Sequence, residues 1–371
     1  MKVVLAHDYL NQWGGAERVL SYLTEIYPAA PLYTLFYDEK FVEDFFSGKK
    51  IISSYLQKSK IRSFSHKYLL PFLPLAIESL NIEKTDVVLS STTAWMKGLV
   101  LKPDVCHICY CHSPTRFLWD WYSEYLEEQK LGKIKKTILT PLLTYLRMWD
   151  YAAAQRVDFF ITNSQNTQKR IQKYYHKDAT VIYPPVDTSK FKVLKNHDDY
   201  FLVVSRLSPY KNVALAVKAF NKLGLPLVII GEGSQKEELK NMAGKNIVFA
   251  EAKTDTQLVD FYARARAVIF PTFDEDFGLV PVEAMAAGRP VIAAGRGGTR
   301  ESIVEGVSGE FFNENNPQSL IQAVQKFIEN EKNYNPGKIR KIAEKFDVKI
   351  FKKKIEEFVS RSYEEFKKQK K

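Results

Sequence analysis

Short apolar runs alternate along most of the chain with longer stretches whose apolar positions recur every three or four residues. In the first half the short runs predict strands at 2–7, 32–36, 86–89, 105–111 and 157–161. The longer stretches predict helices at 15–26, 142–154 and 164–175; within the first, Val19, Leu20 and Leu23 fall on one side. At Tyr183-Pro184-Pro185-Val186-Asp187 the pattern stops, because adjacent prolines continue neither a helix nor a central strand, so an interdomain linker is expected there. It restarts with strands at 201–205, 227–230, 247–249 and 267–270 and helices at 212–223, 235–243 and 255–265. A short helix at 279–287 is closed by Gly288 as a left-handed cap. Pro290 then opens a last strand, 291–293, expected at a sheet edge, and helices follow from 317 to the end. Strand-helix alternation of this kind implies parallel sheets covered on both faces. The fold class read from it is α/β, with two doubly wound, Rossmann-like domains at 1–186 and 187–346.

A length of 371 residues fits two domains, and 45% hydrophobic with 26% charged residues is ordinary for a globular chain. Met1-Lys2 leads straight into an apolar strand without the features of a secretory signal. No apolar run approaches the roughly 18 residues needed to span a bilayer, so a cytoplasmic protein is expected. The net charge of +11 is uneven. Residues 56–70 hold Lys58, Lys60, Arg62 and Lys67 without an acid, and 129–147 hold Lys130, Lys133, Lys135, Lys136 and Arg147 without one. Such clusters suit an anionic surface. The apolar run 68–75 beside the first suggests peripheral contact with the inner face of a membrane rather than with nucleic acid. Cys106, Cys109 and Cys111 share one strand, where Cys106 faces away from the other two, so they are read as reduced thiols and not as metal ligands.

The candidate chemistry concentrates where strands end. Asp274-Glu275-Asp276-Phe277-Gly278-Leu279 joins an apolar strand to the helix that carries Glu283. The first N–H groups of such a helix, Phe277, Gly278 and Leu279, offer a seat for phosphate, with Glu275 and Glu283 placed for hydroxyl groups on either side. This is a nucleotide-sugar site in outline. Arg206 and Lys211 leave one loop at the end of strand 201–205, where doubly wound sheets bind ligands, and could together neutralise a diphosphate. Gly231 and Gly233 follow strand 227–230, and Gly14 and Gly15 follow the first strand; both pairs allow close backbone approach to a ligand. His112 ends strand 105–111, where it could hydrogen-bond a sugar, whereas His7 and His107 lie within strands and read as core residues. Asp274 and Asp276 form an Asp-x-Asp, but the two cations make a divalent metal unnecessary, so neither metal nor other cofactor is expected.

Glu275 and Glu283 around Phe-Gly-Leu, with Glu-Ala-Met-Ala-Ala-Gly-Arg-Pro-Val at 283–291, resemble the Glu-x7-Glu signature of the retaining glycosyltransferases called group 1 or family 4. The likeness covers most of the chain. It implies the GT-B fold, two Rossmann-like domains facing a central cleft, with residues 347–371 crossing back to complete the first. It further implies Arg206 and Lys211 on the donor pyrophosphate, His112 on the donor sugar, and the Gly14–Gly15 loop closing over the donor. Residues 110–120, Tyr-Cys-His-Ser-Pro-Thr-Arg-Phe-Leu-Trp-Asp, look most like bacterial mannosyltransferases of O-antigen and exopolysaccharide assembly. The expected donor is then GDP-mannose, with a UDP-sugar as the alternative, and the expected acceptor is a saccharide or polyprenyl-diphosphate-linked saccharide. A non-catalytic nucleic-acid binder would explain the charge but not the two glutamates or the paired cations.

Overall fold

The apolar runs of the first half line up as one seven-stranded parallel sheet, in the order β3-β2-β1-β4-β5-β6-β7. Its strands are β1 (Val3–Leu10), β2 (Leu32–Tyr37), β3 (Ile51–Ser53), β4 (Val87–Thr92), β5 (Cys106–Cys111), β6 (Phe159–Thr162) and β7 (Ala179–Val181). Those of the second half form a six-stranded parallel sheet, β10-β9-β8-β11-β12-β13. They are β8 (Phe201–Val204), β9 (Leu227–Ile230), β10 (Ile247–Ala250), β11 (Ala267–Phe270), β12 (Val291–Ala294) and β13 (Gly309–Phe312). This is a computed structural model that describes residues 1–58, 69–128, 133–252 and 254–370.

The chain divides into two units, Met1–Tyr183 with Lys352–Lys371, and Pro184–Phe351. In the second unit the strand order is that of the dinucleotide-binding fold, 3-2-1-4-5-6 in that unit's own count. Every residue of β4, β5, β11 and β12 is buried, as strands covered on both faces require. The apolar segment after residue 68 folds as a 3-10 turn, Leu70–Phe72, and a short helix, Leu73–Glu78. It buries Leu69, Leu70, Leu73, Ala76 and Ile77 in the core of the first unit.

Three strands escaped the sequence reading. β3 and β7 are three-residue edges with no apolar run of their own. β13 corrects a stated expectation: Val291–Ala294 is not an edge, because β13 pairs along its far side. Glu310 interrupts β13's apolar pattern, yet its carboxylate is buried, accepting from the Tyr334 hydroxyl at 2.5 Å and meeting Lys326 Nζ at 2.5 Å. The helix expected at 142–154 spans Lys133–Gln155 and runs through Pro141. Among the described residues no helix is long and apolar enough to cross a membrane. Of the basic clusters, Lys60, Arg62, Lys67 and Lys130 lie outside the described residues, as do the side chains of Lys133, Lys135 and Lys136.

Candidate functional site

In the second unit the strand order reverses between β8 and β11, so the loops leaving their carboxyl ends diverge at that point. After β8 the chain makes one 3-10 turn, Pro209–Lys211, which Pro209 favours by fixing its own φ. Asn212 then takes the left-handed conformation (φ 55°), one that asparagine tolerates. Its side-chain amide donates to Pro271 O at 3.3 Å and to Asn315 Oδ1 at 2.8 Å, tying this loop to the one after β11. The result is a direct bond between the loops: Lys211 Nζ donates to Glu275 Oε2 at 2.6 Å. Burial works against the Lys211 charge, but Glu275 and, further off, Asp276 outweigh it and hold the ammonium above its ordinary pKa. Arg206, on the same loop, is exposed, and its guanidinium makes no hydrogen bond or ion pair among the described residues.

The glycines nearby have a steric task. A Cβ on Gly231 would lie 1.8 Å from Ser205 O, and one on Gly233 would lie 2.3 Å from Leu207 O. The close approach of Gly231 and Gly233 is therefore to the backbone that carries Arg206. Sequence reading missed a second pair, Gly297 and Gly298. A Cβ there would lie 2.5 Å from Glu275 O and 2.2 Å from Asp276 O. The Gly298 N–H donates to Glu275 O at 2.8 Å, so this loop backs the acidic turn. The signal was available in Gly295-Arg296-Gly297-Gly298, directly after a strand. Phe277 is buried and packs on Phe346, ring centroids 5.4 Å apart. Gly278, at φ 87°, begins the helix Leu279–Ala286 without a side-chain cap. Glu283 is buried on that helix and accepts from the Tyr262 hydroxyl at 2.7 Å.

In the first unit the strand order reverses between β1 and β4. The N–H groups at the end of β4 are occupied by the chain's own Asp8, which sequence reading did not single out. Its carboxylate accepts from the N–H groups of Thr93 (2.7 Å), Ala94 (2.9 Å), Trp95 (3.0 Å) and Met96 (2.7 Å). The hydroxyls of Thr92 and Thr93 also donate to it. Burial alone would raise the Asp8 pKa, but neighbouring His7 and these N–H donors hold it below the usual range. An acid beside a histidine at the end of an apolar run was the available clue.

Gly14 and Gly15 lie at the entry to the helix Gly15–Ile26, with Gly14 as an extended N-cap that has no side-chain bond. His112 directly follows β5, its ring in contact with Tyr110 at a centroid distance of 4.9 Å. Ser91 Oγ sits 2.9 Å from His112 Nε2 and 3.1 Å from His7 Nδ1. His7 Nε2 lies 3.5 Å from Glu17 Oε1, a long contact. Burial pushes the His112 pKa down to about 3, and His7 adds to the effect. His107 is only half satisfied: Nε2 meets Ser90 Oγ at 2.9 Å, while Nδ1 has no partner among the described residues. Arg206, Lys211, Gly231, Gly233, Glu275, Phe277, Gly278, Leu279 and Glu283 all lie in the second unit, and Gly14, Gly15 and His112 in the first.

Residues 13–190 match the family described as Glycosyltransferase Family 4, and residues 186–360 match Glycosyl transferases group 1. The chain is 29% identical over 254 residues to the alpha-1,3/1,6-mannosyltransferase ALG2 of Saccharomyces cerevisiae, covering 54% of this chain and 48% of that protein. It is 28% identical over 161 residues to the O-antigen chain mannosyltransferase RfbU of Salmonella typhimurium, covering 40% and 46%. The chain spans about half the length of these curated relatives. The crystal structure of Anabaena HepE in complex with UDP superposes with a TM-score of 0.72 at 18% identity, over 97% of this chain and 100% of that one. The two sheets are thus those of the GT-B fold.

Proposed function

The chain belongs to the group 1 and family 4 glycosyltransferases, one family description on each half, and from that premise we propose that it transfers a hexose from a nucleoside-diphosphate sugar with retention of configuration. The observation that carries this reading is the 2.6 Å Lys211–Glu275 bond between the two loops of the switch point, with the exposed guanidinium of Arg206 on the same loop. Cleavage of the donor leaves negative charge on the β-phosphate and an oxocarbenium-like sugar. Arg206, Lys211 and the N–H groups of Phe277, Gly278 and Leu279 are assigned to that phosphate, where charge develops. Glu275, oriented by Lys211, is assigned to hydroxyls of the hexose, Glu283 to the ribose diol and His112 to a sugar hydroxyl. No carboxylate is assigned as a nucleophile, so the reading is front-face displacement, the leaving phosphate helping to deprotonate the acceptor. Charge neutralisation is assigned to the two cations and not to a metal.

Similarity to ALG2 and RfbU supports mannose, and with it GDP-mannose, as the donor. UDP in HepE supports the second reading, a UDP-linked hexose. The acceptor is read as a saccharide or a polyprenyl-diphosphate-linked saccharide, in keeping with the O-antigen relative. Contact with an anionic membrane through the basic segments of the first unit goes with such an acceptor. The test is a panel of GDP- and UDP-hexoses, with and without a chelator, read by nucleotide release and by NMR of the product's anomeric proton. Release from GDP-mannose that survives chelation, with the configuration kept, is expected. A panel on which no donor is consumed would refute the enzyme reading.

A further inference from the structure

His112 is held by a file of side chains with no assigned role. They come from three elements of the first unit: Glu17 from the first turn of the helix Gly15–Ile26, His7 from β1 and Ser91 from β4. All are at least nine-tenths buried, so none can exchange its partner for bulk water. Asp8, next to His7 in the chain, has its oxygens engaged by residues 92–96.

The file has a direction. Ser91 Oγ has one proton to give and stands between two ring nitrogens, so one of them accepts from it and the other donates to it. Glu17 Oε1 beside His7 Nε2 favours the proton on that nitrogen, which leaves His7 Nδ1 to accept from the Ser91 hydroxyl at 3.1 Å. Ser91 Oγ can offer His112 only a lone pair, so at 2.9 Å it is His112 Nε2 that donates. Burial keeps His112 uncharged, which leaves Nδ1 bare. That nitrogen makes no hydrogen bond within the described residues.

We propose that Glu17, His7 and Ser91 are positioning residues that lock His112 in its Nε2–H tautomer, so that Nδ1 accepts a hydrogen bond from a sugar hydroxyl. The sugar part rests on the transferase reading above; the tautomer does not. Removing the partner that orients a metal-bound histidine costs about 10–100-fold in activity, and a loss of the same order is expected for His112.

The experiment is heteronuclear NMR of protein labelled with 15N-histidine, the His112 signals assigned by their loss in His112→Gln. The wild type is expected to show a bare Nδ1 and a protonated Nε2 at His112. Ser91→Ala is expected to release this preference and to lower kcat by about 10–100-fold, with nucleotide affinity held within about threefold by calorimetry. Glu17→Ala is expected to release it too, while Glu17→Gln, which keeps an acceptor oxygen, holds it. A wild-type His112 protonated at Nδ1, or a Ser91→Ala spectrum identical to wild type, overturns the proposal. The spectra need no turnover, so a wild type inert on every donor refutes the transferase reading while they still decide the tautomer. A Ser91→Ala protein whose circular dichroism and melting midpoint match wild type is folded, and its spectrum then counts.

Discussion

Lys211 and Glu275 satisfy each other at 2.6 Å, so an incoming diphosphate has to share the ammonium with the carboxylate or draw it away. A charge held this way is preorganised: the cation is already desolvated and fixed when the phosphate arrives. Lys211→Ala is therefore expected to lower kcat by about 10²–10³, read by steady-state nucleotide release. Turnover close to wild type would remove Lys211 from the diphosphate. The candidacy of both residues was visible in the sequence, since Arg206 and Lys211 follow one strand and Glu275 another. Their pairing was not, because it depends on Asn212 bridging to Pro271 O and Asn315, 103 positions away in the second case. Asp8 and Tyr262 were missed for the same reason. Each is defined by what it bonds, and neither stands in a pattern of its own.

Among elements, the acidic turn after β11 depends on its neighbour more than on its own residues. Gly297 and Gly298, leaving β12, press against the carbonyls of Glu275 and Asp276, and no side chain fits between. Gly298→Ala, whose Cβ would sit 2.2 Å from Asp276 O, is expected to destabilise the protein by about 1–3 kcal/mol, measured by urea denaturation. It should also depress turnover, because the turn that aims Glu275 must shift. An alanine variant with unchanged kcat and midpoint would show that this backing is dispensable. In the same way Gly231 and Gly233 support the Arg206 loop; their spacing was legible, but the surface they approach was not.

For the whole chain, the last helix, Val348–Gln369, begins in one unit and ends in the other. Within the first unit it buries Ile355, Phe358, Val359 and Phe366, and Lys352 Nζ meets Glu25 Oε2 at 2.5 Å. That exposed ion pair adds little. The four apolar side chains are worth about 1.5–3 kcal/mol each, which together rivals the usual net stability of about 5–15 kcal/mol. Deleting residues 352–371 is expected to abolish cooperative unfolding of the first unit in calorimetry. A truncated chain that melts like the full one would show that the helix is only an appendage. This tail is lysine-rich in composition, thirteen Lys or Arg against six acids from residue 338, while its apolar positions do the packing.

What the sequence determined by itself is local or periodic. Apolar runs and their spacing give the strands and helices, adjacent prolines mark the break near 183–187, and loops at strand ends carry the cations and acids. Only the tertiary structure decided the partners: Lys211 with Glu275, Tyr262 with Glu283, Asp8 with the amides of 93–96, and Glu310 buried in a strand that composition alone concealed. The physical reason is that a polar group's cost or use is set by what it meets after desolvation. Those meetings join positions 21 to 88 residues apart, a distance no helix or strand period can carry.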